Sequence, residues 1–522
     1  MKNITLLKAK VGILAVSCLS ITTLFACVDK DARNDLSPNL PTDQAQNGDF
    51  GDQGGGSDQG LNFPVFDDGV LAFPGAEGYG KNATGARAGE GREIYHVTNL
   101  NDAGPGSFRD AVSKPWRIIV FDVSGVIKLS KDPVVLKSNQ TILGHTAPGD
   151  GIVLYNGRVS ASGAQNLIVR YLRIRMGAAY PSDQVDACGV ANGADMIFDH
   201  CSMTWGRDEC FSINPDGKGT APKNITIQNS IIGQGLQNHS CGGLMQTDIS
   251  NGCTIFRNLY IDNKTRNPKV KGLNQFVNNV VYNWGSGAAY NMGGDSSGKS
   301  ETTIENNYFI VGPCNNWQNV EIAPKVYEAQ QVPMNPARPF TGGNSDFRSY
   351  CKGNYYDYDK DGALNGIEIT EVNWSQYCSG SPTLLEARSD LHPIIRSQKS
   401  AQEAYEWVVE KVGAYLPVRD EVDKYLIDEL TSLGGKGTII QDERKTEQFP
   451  LGGPGTINAA QKPLDSDNDG MPDAFEDAWG LDKYDPTDAV KEAKNGYLNI
   501  ENYALSLEYP DEYEYELNKN KQ

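Results

Sequence analysis

The sequence predicts an all-β chain, folded mainly as a right-handed parallel β-helix with a short helical extension towards its C-terminal end. Short strand-like segments recur between residues 165 and 310, and each one alternates apolar and polar residues before a polar turn. The chain contains 56 glycines, and helical periodicity is rare before residue 400. Because a unit this short cannot bury its own apolar face, successive units must stack on one another.

The repeat is defined by six segments that align on the residue ending each strand, at steps of 30, 28, 29, 21 and 28 residues. This period fits one coil of a parallel β-helix, and a loose antiparallel sandwich is the alternative. Asparagines at one shared position predict an internal ladder, in which each amide bonds to the backbone of the next coil. The aligned residues are Tyr171, Cys201, Asn229, Asn258, Asn279 and Asn307.

The first 26 residues have the pattern of an export signal. Three lysines precede an apolar run over residues 11–25, which is too short for a typical membrane span. The run ends in Leu-Phe-Ala-Cys, which resembles a bacterial lipobox with Cys27 as the lipidated residue; an ordinary signal peptide with an incidental cysteine is the alternative. The following VDKD resembles the acidic tags of surface lipoproteins from Bacteroidetes. We therefore expect an exported monomer, anchored by lipid in the outer membrane at the cell surface.

Residues 27–68 are rich in Gly, Asp and Gln and are expected to form a flexible tether. The chain of 522 residues has a formal net charge of −19, so nucleic acid is not an expected partner. An acidic substrate would need a local basic site or bridging metal ions. Eight cysteines follow Cys27, and an even number permits disulfides without defining their pairing.

The β-helix is expected over residues 69–398, and helical patterns follow it. Ser400 and Glu403 form a capping box before an apolar helical face, and a second helix is expected over 419–433. We therefore expect residues 399–450 to form a helical extension that packs on the coils.

Two charged clusters lie within the repeat. The first is acidic, and its hard oxygen ligands suit Ca²⁺ when adjacent loops bring them together, although a scatter of solvated carboxylates is the alternative. The second is basic and surrounds Pro268, which stiffens its turn; a solvated basic loop is the alternative. The acidic cluster contains Asp183, Asp186, Asp208 and Glu209, and the basic cluster contains Arg266, Lys269 and Lys271.

Several motifs together identify a family resemblance over roughly residues 70 to 430. The stretches FPGAEGYG, NLNDAGPGSFRDAV and GHTAPGDGI, the run Ile-Phe-Asp-His at 197–200, and Arg-Asn-Pro at 266–268 resemble those of polysaccharide lyase family 1, the pectate lyases. The resemblance implies a calcium-dependent enzyme that cleaves α-1,4-linked galacturonan, an acidic plant polysaccharide, by β-elimination. Pectin lyase or another uronan lyase on the same fold is one alternative, and a non-catalytic polysaccharide-binding β-helix is another.

The resemblance also implies roles for individual residues. Arg266 corresponds to the catalytic base, and Asp186 and Asp208 correspond to calcium ligands. Lys271 stands where the family has a second, substrate-binding arginine, which retains the charge but not the planar fork. Gln184 and Ser212 stand where the family has two further calcium ligands, so the site would hold fewer anionic ligands unless Asp183 or Glu209 compensates. The other candidates for substrate binding are Lys269, His239 and Trp205, the last with core packing as its alternative.

A second calcium motif does not depend on the family. The run DSDNDGMPDAFE has acidic residues at positions 1, 3, 5, 9 and 12 and a glycine at position 6, as in an EF-hand loop. We therefore expect a small calcium-binding module over 463–507. The run DYDKDGALNGIE at 357–368 matches the same pattern without helical flanks. The predicted ligands of the module are Asp465, Asp467, Asp469, Asp473 and Glu476.

Overall fold

The computed structural model describes residues 60–519 apart from 62, 64–68, 183, 220, 286–287, 294–298, 315 and 333–337. The export segment, Cys27, most of the tether and Asp183 lie outside the described residues, so the predictions made for them stay predictions. Across the part that is described, no helix combines the length and the apolar character that crossing a membrane requires.

The strands are short. In chain order they are β1 Glu93–Val97, β2 Arg117–Phe121, β3 Gly125–Lys128, β4 Val134–Val135, β5 Gln140–Leu143, β6 Ile152–Tyr155, β7 Val159–Ser160, β8 Gln165–Arg170, β9 Arg173–Arg175, β10 Cys188–Val190, β11 Ala194–Asp199, β12 Ser202–Thr204, β13 Phe211–Ile213, β14 Lys223–Gln228, β15 Ile231–Gly233 and β16 Leu244–Gln246. They continue with β17 Gly252–Phe256, β18 Leu259–Ile261, β19 Lys269–Lys271, β20 Leu273–Val277, β21 Val280–Tyr282, β22 Ala288–Met292, β23 Ser300–Glu305, β24 Tyr308–Ile310, β25 Asn316–Ala323, β26 Val326–Val332, β27 Arg338–Gly342, β28 Phe347–Lys352, β29 Asn354–Asp357, β30 Ile367–Ile369 and β31 Thr383–Leu384.

The helices lie mainly after the strands, and a 3₁₀ turn spans Gly144–Thr146. The capping box of Ser400 and Glu403 is confirmed, because Ser400 accepts a hydrogen bond from the Glu403 backbone and the Glu403 side chain accepts one in return. The helices are α1 Phe108–Ala111, α2 Trp374–Tyr377, α3 Ala401–Lys411, α4 Glu421–Thr431, α5 Asp473–Trp479, α6 Asn499–Glu508 and α7 Pro510–Lys519.

Three parallel sheets confirm the predicted β-helix, because each coil adds one strand to each sheet. Sheet I has the order β1-β2-β5-β8-β11-β14-β17-β20-β23-β28-β31. Sheet II runs from β3 through β6, β9, β12, β15, β18, β21, β24 and β29 to the antiparallel strand β30. Sheet III has the order β4-β7-β10-β13-β16-β19-β22-β27, and the antiparallel hairpin β25–β26 projects between β24 and β27.

Apolar residues stack in register along the inside of the coils. Ile227, Ile255, Phe276 and Ile304 occupy equivalent positions of neighbouring strands in sheet I, and each is fully buried. Burying one such side chain stabilises the fold by about 1.5–3 kcal/mol. The repeat therefore builds a continuous core that no single coil could form.

The asparagine ladder is present, with Cys201, Asn258, Asn279 and Asn307 at the predicted position, whereas Tyr171 and Asn229 lie one residue before it. The backbone N–H of Asn258 donates to Oδ1 of Asn279, and that of Asn279 donates to Oδ1 of Asn307. The ladder continues to Asn354, while Ser230 takes the place expected for Asn229. Asn229 lies in the preceding row, whose members adopt left-handed φ angles that asparagine also tolerates. That row contains Tyr171, His200, Asn229, Arg257, Asn278 and Asn306.

Two helical layers cover the coils. Helices α3 and α4 pack on the outside of sheet II through a cluster that includes Leu426 and Leu430. Arg175 fixes α4 in place, because its buried guanidinium donates to Asp420 and to Asp423. The other layer is the C-terminal segment, residues 463–519, which covers the outside of the first strands of sheet I.

Candidate active site and cation sites

The predicted site residues lie on the turns that lead from sheet II into sheet III. These turns stack on one another, because Glu209 pairs with Cys241 and Cys241 pairs with Thr265 as successive parallel bridges. Asp186 is one coil before Glu209, and Arg266 immediately follows Thr265. The stacking of the coils therefore brings residues from four successive turns into one row.

Three carboxylates converge in this row. Oδ1 of Asp186 accepts a hydrogen bond of 3.3 Å from the backbone of Glu209. Glu209 is almost fully buried, and burial together with the nearby Asp186 and Asp208 raises its pKa to about 9. Burial also raises the pKa of Asp186. Glu209 therefore holds a proton at neutral pH unless a bound cation offsets its negative charge.

Arg266 faces the acidic cluster. Its Nη1 donates to Oε1 of Glu209 and lies 4.0 Å from Oδ1 of Asp208. Burial lowers the pKa of Arg266, but its interactions with Cys241 and Glu209 outweigh this effect, and the net shift is upwards. About a third of its side chain is exposed, so the guanidinium is accessible from solvent.

Other polar groups surround this pair. Nδ1 of His239 lies 3.1 Å from Oδ1 of Asp208, and 43% of its side chain is exposed. Lys264, which the sequence analysis missed, donates to the Asn238 carbonyl and to Oε1 of Gln237. Burial and the charge of Arg266 lower the pKa of Lys264. Its position two residues before Arg266 in an acidic chain was the signal that could have identified it.

Lys269 and Lys271 lie on β19, beside the same row. Val270 between them is fully buried, so the alternation of the strand directs both lysines to the outer face of sheet III. Lys269 is in register with Leu244, and Lys271 is in register with Gln246. Both lysines remain candidates for binding a polyanion that lies along this face.

Trp205 was predicted to contact substrate, and this prediction is wrong. The side chain is fully buried between Tyr155 and Phe449, and its Nε1 donates to Oε1 of Gln234 at 2.8 Å. It packs in the core beneath the acidic turn, where a sugar has no access. Ser212 is also buried, and its Oγ accepts a hydrogen bond from the Leu244 backbone.

A second acidic group lies in the C-terminal segment. Ligand oxygens of Asp465, Asp467 and Asp469 lie within 4.8 Å of one another, and so do those of Asp469, Glu476 and Asp488. Asp488 was not predicted, because it lies 12 residues beyond the motif. The predicted ligand Asp473 is engaged elsewhere.

The loop at 357–368 behaves differently. Oδ1 of Asp361 accepts from the Ala363 backbone, and its Oδ2 accepts from Nδ2 of Asn365. Among the described residues, this loop does not bring three acidic ligand atoms together at one point. The loop therefore matches the EF-hand motif in sequence, but its described acidic side chains do not converge on one point.

The comparisons with known proteins agree on one family. A family model described as pectate lyase matches residues 74–328. "Probable pectate lyase C" of Aspergillus fumigatus is 49% identical over 438 residues, which cover 84% of this chain and 94% of the relative. The protein of the same name from Emericella nidulans is 48% identical over 438 residues, which cover 84% of this chain and 93% of the relative.

A solved pectate lyase from Bacillus sp. N165 in complex with trigalacturonate covers 65% of this chain and 98% of its own, at 15% identity and a TM-score of 0.41. The similarity to the Aspergillus fumigatus protein is far closer and spans more residues than the β-helix alone. The chain belongs to the pectate lyase family of polysaccharide lyases.

Proposed function

We propose that this lyase cleaves α-1,4-linked galacturonan by calcium-dependent β-elimination, with Arg266 as the base. The observation that carries the proposal is the convergence of Asp186, Asp208 and Glu209 with Arg266 on successive turns of the β-helix. This arrangement combines anionic oxygen ligands with a basic side chain on one exposed face.

The acidic cluster fits Ca²⁺. Its donors are carboxylate oxygens from two adjacent turns, which are the ligands that Ca²⁺ prefers. The raised pKa of Glu209 reflects the crowding of negative charge, which a divalent cation would offset. When bound there and to a substrate carboxylate, Ca²⁺ withdraws charge and acidifies the proton on the adjacent C5.

Arg266 would take the proton from C5, while the bond between C4 and the glycosidic oxygen breaks. The electrons of the C5–H bond form the C4–C5 double bond, and the leaving oxygen is protonated. The Arg266 side chain can accept a proton only in its neutral form, whereas its interaction with Glu209 favours the charged form. We therefore expect an alkaline optimum and a requirement for a cation that compensates Glu209.

The substrate is a polyanion, so basic side chains beside the row would bind its carboxylates. Lys269 and Lys271 lie on the outer face of β19, and His239 and Lys264 border the acidic cluster. The lysines offset the negative net charge of the chain locally.

Absorbance of unsaturated chain ends, measured during incubation with polygalacturonate, tests the proposal. We expect absorbance to rise with Ca²⁺ and to stop rising when a chelator is added. Equal rates with and without chelator would contradict the calcium requirement. Activity restricted to methyl-esterified pectin would indicate a pectin lyase instead.

We also propose that the C-terminal acidic loop binds a second Ca²⁺. Asp465, Asp467, Asp469 and Glu476 supply gathered carboxylate oxygens, as an EF-hand loop does. Helix α5 follows the loop directly, but within the described residues no helix precedes it. The loop is therefore EF-hand-like in its ligand spacing and not in its flanks.

Export with lipidation at Cys27 remains a proposal that rests on the signal pattern alone. It includes the flexible tether at 27–68, anchoring in the outer membrane and display at the cell surface. The relatives reported above are fungal, so they lend no support to a bacterial anchor. The division into a β-helix at 69–398, a helical extension at 399–450 and a calcium-binding module at 463–507 is likewise proposed, and the chain is proposed to be a monomer.

A further inference from the structure

We propose that Asp488 completes the C-terminal cation site, and that the bound cation holds the C-terminal segment against the first coils of the β-helix. The inference rests on the proposed calcium loop. It replaces Asp473 by Asp488 as a ligand and assigns the ion a role in retaining residues 463–519.

The ligand atoms form two gathered groups that share one residue. The first gathered group contains Asp465, Asp467 and Asp469, and the second contains Asp469, Glu476 and Asp488. Asp469 belongs to both groups, so we place one cation beside it, between the two groups. Carboxylate oxygens are the ligands that Ca²⁺ prefers.

Burial provides an independent reason to expect a ligand. Glu476 is fully buried, and within the described residues neither of its carboxylate oxygens has a hydrogen-bond partner. The same holds for Oδ2 of Asp469 and Oδ1 of Asp488, whose side chains are 3% and 4% exposed. Buried carboxylates that face one another without donors are strongly destabilising, unless a cation lies between them.

Asp473 belongs to neither gathered group. Its Oδ1 accepts a hydrogen bond of 2.7 Å from the Ser466 backbone, and its Oδ2 accepts one of 2.8 Å from Oγ of Ser466. Both carboxylate oxygens of Asp473 therefore bind Ser466 at the start of the loop. The motif placed Asp473 at a ligand position, but the fold directs Asp488 into the site.

Asp488 connects the loop to the second half of the C-terminal segment. Its backbone carbonyl accepts from Nδ2 of Asn499 at the start of α6, and its Oδ2 accepts from the Asp482 backbone. A cation that binds Asp488 and the loop therefore joins two parts of the segment that otherwise face each other with negative charge.

The joined segment lies on the beginning of the β-helix. Met471 and Phe475 pack in one core cluster with Ile118 and Val120 of β2. Nζ of Lys462 donates to Asp122 at 3.0 Å and lies 3.5 Å from Asp465. Loss of the cation would therefore weaken the packing of residues 463–519 on the outer face of the first strands of sheet I.

Bound calcium, measured after equilibrium dialysis of the full chain, tests the ligand assignment. D488N should bind one Ca²⁺ fewer than the wild type, whereas the matched control D473N should bind the same number. Lyase activity at saturating Ca²⁺ is a check that the β-helix of each variant is folded. Unchanged calcium binding by D488N, or an equal loss in D473N, would overturn the assignment.

Hydrogen exchange of the wild-type chain tests whether the cation holds the C-terminal segment against the first coils, and it needs no variant. Addition of a chelator should accelerate exchange in residues 463–491, in α6 and in β1 and β2, and leave the later strands β23, β24 and β28 unchanged. If exchange in the C-terminal segment does not respond to the chelator, the cation does not hold this segment in place. The measurement does not depend on catalysis, so it tests this role of the cation separately from the proposed lyase reaction.

Discussion

Arg266 donates a hydrogen bond to Glu209, although the two residues are 57 positions apart in sequence. Glu209 precedes β13 and Arg266 precedes β19, with the coil of β16 between them. Arg266 and the acidic cluster therefore form one electrostatic unit. A cation that offsets the charge of Glu209 should lower the pKa of Arg266, which would couple cation binding to the proposed proton abstraction.

Arg266→Ala should lower kcat on polygalacturonate by a factor of about 10² or more, which is the usual share of general-base catalysis. KM should change less, because the lysines and the cation would still bind the substrate. Arg266→Lys should fail as well, since an ammonium lacks the fork and reach of a guanidinium. Steady-state rates at saturating Ca²⁺ measure these effects.

Arg348→Ala is the matched control, because Arg348 is an exposed arginine of sheet I paired with Glu301. It should retain wild-type kcat. Near-normal turnover by Arg266→Ala would show that the base lies elsewhere, and His239 would then be the first residue to substitute.

Lys271→Ala should raise KM with little change in kcat, because a lysine that binds a substrate carboxylate contributes to binding more than to proton transfer. Lys218, which is exposed on another turn, provides the control substitution. Equal effects of the two substitutions on KM would remove Lys271 from the substrate-binding face. The measurement is the dependence of initial rate on polygalacturonate concentration.

Glu429→Gln should make the stability of the chain less sensitive to alkaline pH. Burial and the nearby carboxyl of Asp262 raise the pKa of Glu429 well above its ordinary value, and burial raises that of Asp262. The folded state then binds more protons than the unfolded state, so stability falls as pH rises through this interval. From pH 6 to pH 10, the unfolding free energy of the wild type should fall by up to about 1.4 kcal/mol per pH unit more than that of Glu429→Gln.

Asp428→Asn is the control for this experiment, because Asp428 is exposed on the same helix and pairs with Lys436. Its unfolding free energy should depend on pH as that of the wild type does. Chemical denaturation at several pH values measures the difference. Parallel pH profiles for wild type and Glu429→Gln would mean that this buried pair is ionised without cost.

Asn279→Ala should destabilise the β-helix by about 1–3 kcal/mol, because it leaves a buried backbone N–H without its acceptor. Asn279 accepts from the Asn258 backbone and donates to the Ile255 carbonyl. The exposed Asn101 is the control, and its substitution by alanine should have little effect. Thermal unfolding measures both, and equal melting temperatures would show that the ladder contributes nothing.

Cys27→Ser should abolish lipidation, because the cysteine thiol is the predicted site of lipid attachment. The variant should leave the detergent phase in a phase-separation experiment, while the wild type should remain in it. A variant that still partitions into detergent would show that another part of the chain contacts the membrane.

Much of the fold followed from local patterns. The alternation of apolar residues, the spacing of the segments and the turn asparagines predicted the parallel β-helix, because each coil must bury its apolar face against the next. The prediction erred by one residue at Tyr171 and at Asn229, whose place in the ladder Ser230 takes. Period-2 alternation does not distinguish the ladder position from its left-handed neighbour, since asparagine suits both conformations.

The charged residues beside the turns could also be identified from sequence, since a cluster of carboxylates and an Arg-x-Pro motif are local features. Their interactions could not. The contact of Arg266 with Glu209 depends on how the turns stack, and the burial of Trp205 depends on Phe449, which comes from a distant part of the chain.

The sequence by itself determined the repeat, the identity of the acidic and basic residues and the order of the turns that carry them. Only the tertiary structure decided that Asp488 and not Asp473 enters the C-terminal site, and that this segment covers the first coils. The physical reason is that residue types and their spacing are properties of the chain, whereas burial and the meeting of charges depend on segments far apart in it.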